Sequence, residues 1–365
     1  MDTMNTMNTT TLTPSSPLSL DPESAAEIER LGNMKASIQH SYLWVVFALG
    51  FPGNIFCIIT VLSMQTMTPA TFFVSLLALC DGATILVKII FQQLALNQVP
   101  IGTVGCKMRF LPMFLSLLAN WVLVLICAER FVSVCFPLKK AYIITKRRSY
   151  IITAILSTVL FLGMSCLFSL MWDSDETGVM CGTHEEYYDF WTRWWYWINA
   201  FLLIFIPFVF IVIFTALIVR GLMRSRHDRR SIMRHSSKGQ DGNRRLIEEA
   251  ERLERSITIM LIFAAVIFLL LTLPACIFIL GYKESKDQLV EQQWQLFEQI
   301  QYVLIDSSHA INFFLYFLSA QRFRHQFFNI LRCRRWRATN RKSRCIEVSV
   351  TKYTIARSNE DVSQV

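Results

Sequence analysis

Seven apolar stretches, each about 20 residues long and almost free of charge, limit what this chain can fold into more than any other feature. A helix of that length crosses the hydrocarbon core of a bilayer, whereas seven buried helices of such length and purity would be unusual in a soluble protein. Hydrophobic residues make up 53% of the 365 and charged residues only 17%, and the apolar residues come in blocks rather than in alternation. The sequence therefore predicts an all-α membrane protein with seven transmembrane helices. The predicted spans are 42–64, 70–95, 108–134, 149–171, 197–220, 257–281 and 296–318.

The distribution of Lys and Arg predicts how the bundle is oriented. Basic clusters follow spans three, five and seven, and acidic residues predominate between spans four and five. We therefore expect a multi-pass protein of the plasma membrane with its N-terminus outside. The net charge of +9 then lies mostly on the cytoplasmic face, where anionic lipid accounts for it without nucleic acid. The expected divisions are an extracellular tail at 1–41, the bundle with a short amphipathic eighth helix at 42–332, and a cytoplasmic tail at 333–365.

Two cysteines and one asparagine are candidates for modification on the outer side. Of the ten cysteines, only Cys106 and Cys181 fall where the compartment is oxidising. Two candidates leave a single connectivity, so the sequence predicts a Cys106–Cys181 disulfide, with two free thiols as the alternative. Asn8 begins an Asn-Thr-Thr sequon in the outer tail, which predicts N-glycosylation.

Charged residues inside the spans need a partner or water, because the bilayer interior solvates them poorly. Span two carries Asp81 and Lys88 on one face, about 10 Å apart along the helix axis. Glu129 and Arg130 lie at the cytoplasmic end of span three, where a plain juxtamembrane ion pair is one interpretation.

Several motifs in order along the seven spans resemble those of rhodopsin-like (class A) G-protein-coupled receptors. Glu129-Arg130 resembles the family's Glu/Asp-Arg-Tyr motif, and Asp81 matches the family's buried carboxylate in span two. The span-seven stretch SSHAINFFLY resembles that of FMRFamide-type neuropeptide receptors of invertebrates. The other matching landmarks are Gly53-Asn54, Leu77-Ala78, Pro207, Phe268 with Pro274, and Asn312 with Tyr316. The chain departs from the family at Thr272, Ala119 and Phe313, where the family has Trp, Ser and Pro.

The resemblance implies a buried polar network and a switch for a G protein. In the network, which can hold a sodium ion, Asp81 is joined by Asn54, Asn120, Ser308 and Asn312. In the switch, Arg130 pairs at rest with Glu129 and with Glu254 of span six, and an agonist moves span six outward. A solvated Glu254 is the alternative. The switch set is Glu129, Arg130, Glu254, Asn312 and Tyr316.

The ligand is expected to enter from the outer side, in a pocket lined by Lys88, Arg109, Glu298 and Gln301. An acidic second outer loop and the cluster WTRWWYW favour a short basic peptide with aromatic groups. A lipid or an acidic small molecule held by Lys88 and Arg109 is the alternative, and so is a Lys88 that merely pairs within the protein, for example with Glu298.

Other classes of protein find less support in the sequence. Span three has no acidic residue for an amine ligand, and span seven has no lysine for a retinal Schiff base. A transporter or channel would show repeats or interrupted spans, and an enzyme would show a catalytic constellation. We predict no cofactor. The expected partners are an extracellular peptide, a heterotrimeric G protein, arrestin and membrane lipid.

The segment after span seven, SAQRFRHQFFNILRC, is predicted to be an amphipathic interfacial helix. Phe323 and Phe327 are expected to face lipid, and Cys333 at its end is a candidate for palmitoylation, with an unmodified thiol as the alternative. The last residues, ending in Val365, fit a ligand for a PDZ domain.

Overall fold

The computed structural model describes residues 21–63, 68–233, 262–281, 287–319 and 321–331. These residues form a bundle of long helices, which confirms the predicted all-α membrane fold. Six helical segments of the described chain are long and apolar enough to cross a membrane. The long helices are α1 (Pro22–Leu62), α2 (Pro69–Leu96), α4 (Phe110–Cys135), α6 (Lys146–Met171), α8 (Ile206–Met233), α9 (Ile262–Gly281) and α10 (Gln288–Ser319).

Short elements connect or extend these helices. The short α-helices are α3 (Gly102–Lys107), α5 (Lys140–Ile143), α7 (Tyr196–Ala200) and α11 (Gln321–Leu331). The strands are β1 (Trp172–Ser174) and β2 (Cys181–Thr183); Glu185–Tyr187 is a 3₁₀-helix, and Phe190–Trp195 and Phe201–Phe205 are π-helices. Span one corresponds to α1, span two to α2, span three to α4, span four to α6, span five to α7 and α8, span six to α9 and span seven to α10.

Two helices begin well before the predicted spans. Helix α1 starts at Pro22 rather than at residue 42, with proline in its first turn and Glu23 near the positive end of the helix dipole. Helix α10 starts at Gln288 rather than at residue 296. The two extensions contact each other, and Lys35 Nζ donates to Gln295 Oε1 at 2.9 Å. Hydropathy identifies only the apolar part of a helix, so it could not locate the polar segments with which α1 and α10 begin.

Helix α1 lies unusually close to α10, which places the polar residues of α10 against α2. A Cβ atom added at Gly50 would come within 2.7 Å of the Ala310 Cβ and 2.6 Å of Ile85. Small residues allow such close packing between membrane helices, where dispersion rather than the hydrophobic effect holds the pair together.

The amphipathic helix α11 packs against the bundle, so part of the sequence-based prediction is wrong. Phe323 is buried, and its ring lies 6.0 Å from that of Phe313. The Phe327 ring lies 5.6 Å from the rings of Phe56 and Phe313. Phe328, rather than Phe323 or Phe327, is the exposed phenylalanine of this helix. The aromatic residues of α1 and α10 provide the surface that the sequence pattern alone assigned to lipid.

The predicted disulfide is confirmed. Cys106 of α3 is bonded to Cys181 of β2 with an S–S distance of 1.97 Å. Strands β1 and β2 pair antiparallel, with Trp172 opposite Thr183, so the disulfide fixes this hairpin to α3, which immediately precedes α4. The hairpin lies at one end of the bundle, here called the disulfide end, and Arg130 lies at the other, here called the arginine end.

Candidate functional site

A buried carboxylate forms the centre of the bundle. Asp81 of α2 is 1% exposed, and α10 supplies donors to both of its oxygens. The Nδ1 atom of His309 lies 2.7 Å from Oδ1, and the Asn312 amide donates to Oδ2 at 2.6 Å. A carboxylate withdrawn from water requires such partners, and the predicted Asp81–Asn312 contact is present.

His309 is the member of this centre that the sequence analysis missed. It is 3% exposed, and it precedes Asn312 by three residues, so the two share one face of α10. Asp306 lies three residues earlier again on the same face. This polar stripe of Asp306, His309 and Asn312 inside an apolar helix was the signal that could have located the histidine.

The other predicted network residues take different partners. Asn54 Nδ2 donates to the backbone carbonyl of His309 at 3.0 Å, so Asn54 joins the network through that carbonyl rather than through Asp81. The Ser308 hydroxyl donates to the carbonyl of Ile305 in its own helix, at 2.6 Å. Neither Asn54 nor Ser308 therefore hydrogen-bonds the carboxylate among the described residues.

Asn120 binds span five instead of Asp81, which corrects the sequence-based prediction. Pro207 has no N–H to donate to the carbonyl four residues earlier, which belongs to Leu203. The Asn120 amide donates to that carbonyl at 2.8 Å, and the Trp121 indole donates to the preceding carbonyl at 3.2 Å. The π-helix Phe201–Phe205 lies at this point, as is common where the helical hydrogen-bond ladder is interrupted. Asn120 thus stabilises an irregular turn while its side chain also lines the cavity beside Asp81.

The residues around Asp81 do not fit a bound sodium ion. A hard cation takes oxygen ligands, but a nitrogen atom of α10 already lies within hydrogen-bonding distance of each Asp81 oxygen. Ala119 offers no side-chain oxygen, and Asn120 directs its amide donor toward the span-five carbonyl. The cavity lined by these side chains has room for about one water molecule.

Lys88 lies on the same face of α2, closer to the disulfide end, and it forms an ion pair within the protein. Its ammonium donates to Asp306 Oδ1, and the Tyr42 hydroxyl donates to Oδ2 at 3.2 Å. The side chain of Asp306 is 4% exposed and that of Lys88 is 26% exposed. Lys88 is therefore paired within the protein, with Asp306 rather than Glu298 as the partner. Its role in binding the ligand stays a prediction.

The remaining predicted pocket residues differ in burial and in hydrogen bonding. Glu298 accepts a hydrogen bond from the Tyr302 hydroxyl at 3.2 Å, and Arg109 is half-buried beside the disulfide. Gln301 is buried at 4% exposure, and its Oε1 has no hydrogen-bond partner among the described residues. Gln299, also buried, has an Nε2 atom without a described partner. Buried amides with unused donors and acceptors are suited to bind another polar chain.

The acidic loop after α6 contains two kinds of carboxylate. Asp173 and Asp175 are used to fold the loop. The Thr103 hydroxyl and then the Ser174 backbone N–H hydrogen-bond Asp173 and hold its pKa below the usual value of 3.8. The Thr177 hydroxyl, followed by backbone N–H groups, lowers the pKa of Asp175 in the same way.

The second kind of carboxylate in this loop is solvent-exposed. Glu185, Glu186 and Asp189 are exposed side chains at the disulfide end, and the 3₁₀-helix Glu185–Tyr187 carries the first two. These carboxylates take no part in the hydrogen bonds of the turn at Asp175, so they are available to attract a cation from solution.

An aromatic cluster lies at the same end of the bundle. The Trp191 and Trp195 rings stack at 5.2 Å, and Trp191 packs edge-on against Phe168 and Trp172 at 5.2 and 5.1 Å. These residues belong to the segment WTRWWYW, which was predicted to attract the ligand. Trp195 is 4% exposed and belongs to the core, whereas Trp194 is 63% exposed.

At the arginine end, Arg130 and Glu129 form a buried ion pair. Their side chains are 6% and 4% exposed, and Arg130 Nε lies 2.9 Å from Glu129 Oε2. The Ser133 hydroxyl donates to the other oxygen of Glu129 at 3.0 Å. The predicted contact of Arg130 with Glu129 is therefore present. Glu254 and the side chain of Tyr316 lie outside the described part of the chain.

Other predicted sites also lie outside the described residues. These are the glycosylation site Asn8, the palmitoylation site Cys333 and the C-terminal Val365.

The chain was compared with known proteins. The family model described as "7 transmembrane receptor (rhodopsin family)" matches residues 53–316. This match covers the described helices from within α1 almost to the end of α10, and it includes Asp81, Arg130 and Asn312. No curated protein matches the chain.

Proposed function

Because the chain belongs to the rhodopsin family of seven-transmembrane receptors, we propose that it is activated by a short basic peptide outside the cell. Membership of the family itself means a multi-pass membrane receptor that takes an extracellular ligand and signals through a heterotrimeric G protein. Family membership does not define the class of ligand, which depends on this chain's own residues.

The disulfide end is proposed to face the outside of the cell, with the N-terminus on that side and the receptor in the plasma membrane. The basic connections after spans three and five support this orientation through the positive-inside rule. A disulfide is also stable only in an oxidising compartment, which Cys106 and Cys181 would meet on that side.

The ion pair between Lys88 and Asp306 is the observation that carries the proposal of a basic ligand. With Lys88 paired inside the bundle, the exposed charges at the disulfide end include the carboxylates of Glu185, Glu186 and Asp189. A cationic ligand is steered toward such a surface and an anionic one is repelled. The buried amides of Gln299 and Gln301 add hydrogen-bonding capacity suited to a peptide backbone.

A peptide ligand also accords with the resemblance of SSHAINFFLY to FMRFamide-type receptors. The runner-up, an acidic or lipid ligand, would need a free cation in the pocket. Since Lys88 is paired, Arg109 alone would have to supply that charge.

A peptide screen followed by charge substitution tests the proposal. Cells that express the chain are screened with a library of short peptides, and calcium and cyclic AMP are both measured. For an active basic peptide, the triple variant Glu185→Gln, Glu186→Gln, Asp189→Asn should lower potency about tenfold, because each exposed ion pair contributes up to about 1 kcal/mol. The matched control is Glu23→Gln, which removes an exposed acid from the first turn of α1.

Two results would contradict the basic-peptide proposal. One is an unchanged potency in the triple variant. The other is an acidic or lipid agonist whose activity Arg109→Ala abolishes, which would favour the runner-up. Raising the salt concentration should also weaken the basic peptide and leave a neutral agonist unaffected.

At the arginine end, we propose that release of Arg130 is the step that admits the G protein. Arg130 forms an ion pair with Glu129 in the described structure. The sequence predicts Glu254, on the cytoplasmic extension of span six, as its second acidic partner. Removing an acidic partner of Arg130 should raise signalling in the absence of agonist, because the arginine is then released more easily. Unchanged basal and evoked signalling in Glu254→Ala would remove Glu254 from the switch.

Further partners and modifications are proposed from the sequence. Arrestin would bind the phosphorylated tail, a PDZ domain would bind the C-terminus at Val365, and acylation of Cys333 would anchor α11 to lipid. Glycan removal from wild type and Asn8→Gln, acyl-exchange labelling of Cys333→Ser, and a PDZ pull-down with Val365 deleted each test one of these. A result identical to that of the wild-type chain would contradict the corresponding proposal.

A further inference from the structure

The buried centre around Asp81 contains a nitrogen donor where a bound cation would require oxygen ligands. His309 is 3% exposed, so this contact is made in the interior of the bundle and not at a wet surface. Its Nδ1 atom, 2.7 Å from Asp81 Oδ1, occupies the side of the carboxylate that faces α10. We propose that His309 takes the place of a bound cation at Asp81, so that this receptor does not bind sodium there.

The hydrogen bonds of the neighbouring side chains support this proposal. Asn312 donates to the second oxygen of Asp81, so each oxygen already has a nitrogen neighbour and only its remaining lone pair could face a metal ion. Asn120 donates to Leu203, and Ala119 has no oxygen to contribute. The cavity beside them has room for about one water molecule, so it is too small for an ion together with the waters that would complete its coordination.

The position of the imidazole is fixed by packing and by the backbone. The carbonyl of His309 accepts a hydrogen bond from Asn54 of α1, and the next residue, Ala310, packs against Gly50 at the closest approach of α1 and α10. The backbone of His309 is therefore held between α1 and α2, and its imidazole extends to Asp81. The second ring nitrogen, Nε2, has no hydrogen-bond partner among the described residues.

This inference concerns the interior of the bundle and is independent of the proposed peptide ligand. It can therefore be tested on the purified full-length receptor without any agonist. Thermal unfolding is followed by intrinsic tryptophan fluorescence in about 0.15 M sodium chloride and in the same concentration of choline chloride, which keeps ionic screening equal. The wild-type receptor should unfold at the same temperature in both salts.

Substitution of the histidine should create a sodium effect. His309→Ser frees one Asp81 oxygen and adds a hydroxyl, so sodium should raise the unfolding temperature relative to choline. The shift should be roughly 3–6 °C when sodium is ten times its dissociation constant. The double variant His309→Ser, Asp81→Asn should lose the shift. His40→Ser, at an exposed histidine of α1, is the matched control and should show none.

Two results would overturn the proposal. The first is a wild-type receptor that sodium stabilises over choline, with a shift that Asp81→Asn removes; this measurement does not depend on any histidine variant folding. The second is a folded His309→Ser receptor, and likewise His309→Asn, that remains indifferent to sodium, because another feature would then exclude the ion.

Discussion

Removing Lys88 should destabilise the receptor, because it leaves the Asp306 carboxylate buried without its ionic partner. Asp306 is 4% exposed, and Tyr42 would then be its remaining described hydrogen-bond donor. Breaking a buried ion pair by removing one member typically costs 3–5 kcal/mol. Lys88 is 26% exposed, so solvent already screens part of this interaction and we expect about 2–3 kcal/mol for Lys88→Ala.

The expected loss corresponds to a fall of roughly 5–10 °C in unfolding temperature, at about 2–4 °C per kcal/mol for a large domain. Membrane proteins commonly unfold irreversibly, so all variants are compared at one scan rate. Lys35→Ala is the matched control. Lys35 donates to the neutral Gln295 rather than to a carboxylate, and its loss should lower the unfolding temperature by no more than about 2–4 °C.

A double-mutant cycle separates a structural ion pair from a ligand contact. The cycle uses Lys88→Met and Asp306→Leu, each alone and both together. The double variant removes both charges and should recover much of the stability that Lys88→Met alone loses. If the effects of the single substitutions simply add, the two side chains do not interact. If Lys88→Ala leaves the unfolding temperature unchanged but abolishes agonist potency, Lys88 is a ligand-binding residue and the structural interpretation is refuted.

Three other substitutions have defined outcomes. Cys181→Ser removes the disulfide that closes a loop of 75 residues. Such a disulfide stabilises a free chain by about 4 kcal/mol, and a chain held by membrane helices by less. Surface display and unfolding temperature should both fall, and a reducing agent should have no further effect on the variant. Glu129→Gln removes the described counter-charge of Arg130 and should raise agonist-free signalling, whereas an unchanged basal level would contradict the switch. Because the pKa of Asp173 is lowered in the folded protein, its contribution to stability is present above pH 3.8 and is lost as the pH falls further. Thr103→Val removes the main cause of the lowered pKa, so unfolding of this variant should be less sensitive to acid. The measurement is the unfolding temperature at pH 6 and at pH 3.

Local features of the sequence determined much of what is known about this protein. Hydropathy over about 20 residues identified the membrane helices because the bilayer core admits no exposed backbone polar groups. The placement of cysteines on one side of the membrane gave the Cys106–Cys181 pair, since few cysteines were available there. Adjacent residues gave the Glu129–Arg130 contact at the end of α4.

The partners of buried polar groups depended on packing between helices, which no single span records. Lys88 and Asp81 share one face of α2, but their partners Asp306 and His309 come from α10, more than 200 residues away in the chain. The same is true of Asn120, whose partner is a carbonyl that Pro207 leaves without its usual donor. The sequence established that these groups need partners, because burying a charge or an amide without one is costly. The tertiary structure selected the partners, because only the packed bundle brings those atoms within hydrogen-bonding distance.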